Sequence, residues 1–112
     1  MQSCRGWFVR IALAAVCVLL IAATAQAQGS AQELYKTKCA VCHAADGSGD
    51  TPMGKKTAAH DFRSPEIQKM TDAQLVELTT KGKNKMPGYD KKLTADEIKG
   101  LVAYIREMGK KK

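Results

Sequence analysis

Apolar residues in this chain form one unbroken run followed by several stripes at helical spacing. The run is Ile11 to Thr24, "IALAAVCVLLIAAT". Behind it, Ala31, Leu34, Tyr35 and Cys39 recur at spacings of three and four, which puts them on one side of a helix. Ser30 and Glu33 stand in capping-box positions, so the pattern predicts a helix from about Ala31 to Cys42. "SPEIQKM" offers Ser64 as N-cap and Pro65 at the first helical position, a short helix of one or two turns. Thr71 and Gln74 repeat the box before Leu75, Val76 and Leu78, and Gly82 stops that helix. Thr94 and Glu97 open the last helix, where Ile98, Leu101, Val102, Ile105 and Met108 make one apolar face.

Two stretches interrupt this series. Ala44 to Asp61 is rich in Gly, Asp, Ser, Thr and Pro, and "KGKNKMPGYDKK" separates the last two helices; both predict ordered loops. No segment alternates apolar and polar residues as a strand would. The expected fold is all-α, with three to four short helices and two long loops.

The first apolar run belongs to a different kind of segment. Arg5 and Arg10 precede it and "AQA", Ala25 to Ala27, follows it in the small-x-small pattern of a cleavage site. Residues 1–27 therefore read as an export signal, with a mature chain from Gln28 to Lys112 and a periplasmic, soluble destination. If Trp7 to Val9 extended the run past Arg10, an uncleaved segment would instead act as a membrane anchor. Cys17 lies inside the run and is a poor match to a lipoprotein site.

Composition then narrows what the mature part can be. Its 85 residues make one domain with few aromatics, a size at which a core without a staple, metal or cofactor is marginal. Loss of Arg5 and Arg10 leaves 16 Lys and Arg against 11 Asp and Glu, a formal charge of +5. Cys4 and Cys17 leave with the signal, so only Cys39 and Cys42 remain. A disulfide between them would close a ring of one helical turn and constrain almost nothing.

"KCAVCHAADG", Lys38 to Gly47, carries the chemistry. Zinc would need a second cysteine pair or spaced histidines, and beyond His43 only His60 offers an imidazole. A thioredoxin-like dithiol would need a strand leading into the motif. Covalent haem accounts for all three residues. On a helix Cys39 and Cys42 lie about a turn apart on one face, each able to form a thioether with one vinyl group, and His43 follows directly as an axial ligand.

With "CAVCH" the chain resembles the small monohaem class I c-type cytochromes. That resemblance implies the cytochrome c fold wrapped around one covalently bound haem c, tethered by Cys39 and Cys42, with iron held by His43. It also implies a distal Met in a loop before the last helix. "KNKMPGY" supplies Met86 and Pro87 there, 43 residues after His43. The family carries an apolar contact between its first and last helices, matched here by Ala31 with Tyr35 and by Leu101 with Tyr104. Ala31 stands where many relatives have Gly, which suggests a wider crossing. A proline carbonyl in the loop after the motif accepts a hydrogen bond from the proximal imidazole in the family, and Pro52 is the nearest match.

Competing ligands are few. Met70 and Met108 sit on helices and read as core, while Met53, in a loop only ten residues from His43, is the rival thioether. His60 offers a bis-imidazole alternative with a lower potential.

A Met/His haem has a raised potential and no open coordination position, so the expected function is one-electron transfer rather than enzymatic catalysis. Lys81, Lys83, Lys85, Lys91 and Lys92 fall within twelve residues around Met86, with Asp90 the only acid among them. They form an expected docking rim for redox proteins with acidic surfaces. Nucleic acid is not an expected partner, and the mature chain is expected to be monomeric. Alternatives of another class are a sensor module that releases Met86, and a haem c subunit fixed to a larger dehydrogenase or oxidase complex.

Overall fold

The structure is a computed structural model that describes residues 6, 8, 10–12 and 29–111. The five residues at the start are helical, but the rest of the expected export signal, its cleavage site and Gln28 lie outside the described residues. No helix among the described residues is long and apolar enough to cross a membrane.

Over the described residues from 29 onward six helices follow one another: α1 (29–38), α2 (Ala40–His43), α3 (Pro52–Thr57), α4 (Pro65–Gln68), α5 (Asp72–Lys81) and α6 (Ala95–Lys110). α1 already includes residues 29 and 30, so Ser30 is not its N-cap here. Elsewhere the start signals are those of the sequence. Thr71 with Gln74, and Thr94 with Glu97, make complete capping boxes, and Ser64 accepts from the Ile67 amide. α3 departs from the expected loop: Thr51 accepts from the Gly54 amide and Pro52 starts the helix. Ala58 ends it in the left-handed conformation. The only strand-like pairing among the described residues is one bridge between Lys83 and Met86.

The core lies where α1, α5 and α6 meet. Tyr35 is 1% exposed, and Ile98, Leu101, Val102, Ile105 and Met108 bury the expected face of α6. The rings of Tyr35 and Tyr104 meet edge to face at 5.3 Å, a favourable arrangement of aromatic quadrupoles. A Cβ added at Gly100 would stand 3.7 Å from the Ala31 methyl. The small partner at this crossing is thus on α6 rather than α1, which offsets the extra carbon of Ala31.

Arg106 ties α6 to the α4–α5 junction. Its guanidinium donates to the carbonyls of Gln68 (3.0 Å) and Met70, at the end of α4, and pairs with Asp72 (2.9 Å) at the start of α5. Those carbonyls are orphans of a helix end, which a fork of five donors is shaped to satisfy. Asp72 is mostly exposed, so the ion pair itself contributes little and the carbonyl bonds dominate. Arg106→Met should keep the apolar stem but lower the stability of the holoprotein by about 2 kcal/mol. A urea titration with unchanged slope would read it as a shifted midpoint, and an unshifted midpoint would mean that the junction holds without Arg106.

Candidate haem site

α1 and α2 are one helical segment interrupted at Cys39, whose backbone (φ −115°, ψ −37°) tightens the turn. The Cys42 amide bonds to the Cys39 carbonyl at 3.2 Å, three residues back, and the His43 amide bonds to the same oxygen at 2.9 Å. Cys39 thereby lies one turn before the adjacent Cys42 and His43 on one short helical segment. Both thiols are free and half-buried. Burial, and then the neighbouring Cys42, push the Cys39 thiol up to about 11. A catalytic dithiol works through a depressed thiolate, so this environment runs against that alternative. Among the described residues no group of three His, Cys, Asp or Glu side chains is arranged to hold a bare metal ion.

His43 is 9% exposed and lies over Phe62, ring centres 4.1 Å apart and 19° from parallel. Its Nδ1 is 3.3 Å from the carbonyl oxygen of His60. A carbonyl can only accept, so this bond makes Nδ1 the protonated nitrogen and leaves the Nε2 lone pair for a metal. Burial holds the His43 pKa below its usual value against the opposing pull of the His60 carbonyl, which favours the neutral, ligating form.

The carbonyl expected at this place was that of Pro52. Pro52 instead starts α3, so its carbonyl belongs to that helix's own hydrogen-bond ladder. α3 has another task. The Thr51 hydroxyl lies 2.9 Å from the Val41 carbonyl and 3.0 Å from that of Cys42, and a Cβ at Gly54 would collide with the Cys42 and Gly49 carbonyls. α3 thus braces the backbone of the cysteine segment. Tyr35 adds a bond from its hydroxyl to the Ala44 carbonyl at 2.7 Å.

The second loop forms a tight turn. Lys83 and Met86 exchange backbone bonds of 3.1 and 2.9 Å, Asn84 takes a positive φ of 54°, and Gly82 leaves α5 at φ 75°. A Cβ at Gly88 would stand 2.7 Å from the carbonyls of both Thr80 and Lys81, so the chain after Pro87 runs back along the end of α5. Met86 is half-buried in this turn. Of its rivals, Met108 is in the core, Met70 packs against it, and Met53 is 44% exposed on α3. His60 has an exposed side chain, while its backbone lies at the Nδ1 edge of His43.

Lys81, Lys83, Lys85, Lys91 and Lys92 are all exposed. Lys81 is engaged with Glu77 at 2.7 Å, and Lys85 reaches the Lys56 carbonyl at 3.1 Å, which brings Lys56 of α3 beside the rim. The sequence reading missed the His60 carbonyl, Thr51 and Lys56. A carbonyl leaves no mark in a sequence, whereas a Thr-Pro pair followed by Gly was a legible start signal for α3.

These residues fit a covalently attached haem: two free thiols and a neutral imidazole on one segment, the ring nitrogen oriented by a carbonyl and the backbone braced from three sides. Such a helical fold around such a segment defines a c-type cytochrome carrying haem c. The chain belongs, over residues 26–105, to the family described as cytochrome c oxidase, cbb3-type, subunit III. It is similar to cytochrome c6 of Thermosynechococcus vestitus, 29% identical over 90% of this chain and 88% of that protein. Cytochrome c6 of Chlorolobion braunii is 30% identical over 64% of this chain and 80% of its own. Among solved structures, the KustC0563 c-type cytochrome superposes with a TM-score of 0.64 at 33% identity, covering 69% of this chain and 94% of that one. The chain is thus a small haem-bearing electron-transfer protein of the cytochrome c type.

The apolar plate would complete a core that so short a domain supplies only in part. Cys39→Ala with Cys42→Ala should give a chain without a cooperative unfolding transition by circular dichroism; a sharp native transition in that variant would show that the polypeptide core suffices.

Proposed function

We propose that the chain is a one-electron carrier with His43 and Met86 as axial ligands, exported by removal of residues 1–27, that shuttles electrons between periplasmic or membrane redox proteins. Bound haem supplies an iron that changes charge by one electron, with a potential raised by thioether ligation. Everything else in the function falls to positioning and docking. Thr51, Gly54 and Tyr35 hold the cysteine segment, the His60 carbonyl orients His43, and Lys83 with Gly82 shapes the turn that presents Met86. The single observation that carries the reading is the commitment of His43 Nδ1 to the His60 carbonyl, which leaves one nitrogen for iron. It also disfavours His60 as the opposite ligand, because its backbone is held at the proximal imidazole.

Docking follows from charge. Lys83, Lys85, Lys91 and Lys92, with Lys81 partly offset by Glu77, make a positive rim that Lys56 extends. Such a rim speeds encounter with acidic redox proteins and weakens with salt. The interface would be small and transient, suited to a monomeric carrier.

A second reading is a haem c subunit fixed to a larger complex, supported by the description of the family as subunit III of an oxidase. An intact N-terminus by mass, together with co-purification with a membrane complex, would favour it over the carrier.

The oxidised protein should show the weak far-red absorption of methionine bound to ferric iron. Met86→Ala should abolish that band while keeping covalent haem, and His60→Ala should leave it unchanged. Persistence of the band in Met86→Ala would remove Met86 as the ligand. Charge reversal at Lys83 and Lys85 together should slow reduction by an acidic partner roughly tenfold at low ionic strength and much less at high salt.

A further inference from the structure

Tyr89, three residues after Met86, is the other point at which the distal loop is fastened to the cysteine segment. Its ring is half-buried against the core. The backbone around it is committed on both sides: the Tyr89 amide bonds to the Thr79 and Thr80 carbonyls at 3.0 and 3.1 Å, and the Tyr89 carbonyl accepts from Lys92 and Leu93. Its hydroxyl donates to the Lys38 carbonyl at 3.1 Å, a bond across 51 residues.

That acceptor is the residue immediately before Cys39. In an unbroken helix the Lys38 carbonyl would take the amide of Cys42. Here the Cys42 amide turns to the Cys39 carbonyl, and Lys38 accepts the tyrosine instead. The break that aims the first cysteine thus creates the acceptor that holds the methionine loop. On the other side of Met86, the Lys85 ammonium reaches the Lys56 carbonyl near the end of α3. Two side chains flanking Met86 are therefore fastened to two different backbone segments, one on each side of it.

We propose that Tyr89 is a positioning residue for Met86: its bond to the Lys38 carbonyl resists the loop movement by which the thioether would leave the iron, with Lys85 as a weaker second hold. This rests on the reading of Met86 as the distal ligand. Both bonds are exposed to solvent, but the Tyr89 ring is already held against the core while Lys85 must order a long side chain, so the tyrosine should contribute the larger share.

The test is displacement of Met86 by added imidazole in the oxidised holoprotein, followed through loss of the far-red band. The incoming ligand binds only after the loop opens, so its apparent affinity and rate report that opening. Tyr89→Phe keeps the ring and should bind imidazole roughly twofold to tenfold faster and tighter, the factor of one net hydrogen bond. Lys85→Met should do the same to a smaller extent. Arg106→Met, which loosens a junction remote from the loop, should lower stability yet leave imidazole binding unchanged. Unaltered binding in Tyr89→Phe, with the band still lost in Met86→Ala, overturns the hold and leaves the ligand in place. A band that survives Met86→Ala overturns both. Equal acceleration by Arg106→Met would show general loosening rather than positioning, and would also overturn it. If Tyr89→Phe gave no folded holoprotein, unaltered imidazole binding in Lys85→Met would count against the double fastening.

Discussion

The structure depends on how three residues in one short helical segment are aimed. Cys39, Cys42 and His43 can serve one planar cofactor only if the backbone between them is fixed, and the chain fixes it from several directions. A tightened turn at Cys39 bonds the amides of Cys42 and His43 to one oxygen. Thr51 reaches the Val41 and Cys42 carbonyls, Gly54 lets α3 lie directly on that backbone, and the Tyr35 hydroxyl holds Ala44. None of these contacts is a ligand. Each removes a freedom the ligands would otherwise have, so attachment does not have to pay for ordering a mobile loop.

The same economy explains the size of the domain. α6 buries its apolar face between α1 and α5, and Arg106 ties it to the α4–α5 junction, but a chain this short cannot enclose a large apolar centre by itself. A covalently held plate supplies both the missing apolar surface and the chemistry. Stability and function therefore share one element: what orders the cysteine segment for folding also sets the environment of His43. Its burial keeps the imidazole neutral, and the His60 carbonyl, by accepting from the Nδ1–H, leaves Nε2 free.

Much of this was legible in the chain. The capping boxes at Thr71 and Thr94 and the α6 stripe from Ile98 to Met108 set two helices in place, because local hydrogen bonding and a 3.6-residue period are properties of sequence. "CAVCH" gave the cofactor because chemistry demanded those residue types at that spacing. What was hidden was made by backbone atoms brought together from afar. The partner of His43 is the carbonyl of His60 rather than that of Pro52, and α3 was obscured because Gly47, Gly49, Pro52 and Gly54 together read as loop. Gly54 is there for close approach to Cys42 and Gly49, a reason visible only in three dimensions. The hold from Tyr89 to Lys38 likewise depends on a carbonyl freed by an irregular turn.

The most direct measurement is the absorption spectrum, oxidised and reduced, of the protein expressed from its full sequence in a host with haem-attachment machinery, taken after denaturation in acid solvent to strip any non-covalent pigment. The account predicts that haem stays with the polypeptide, with sharp reduced c-type bands and one haem per chain by mass. A colourless protein, or pigment lost to the solvent, would contradict it and return Cys39 and Cys42 to the role of a simple dithiol.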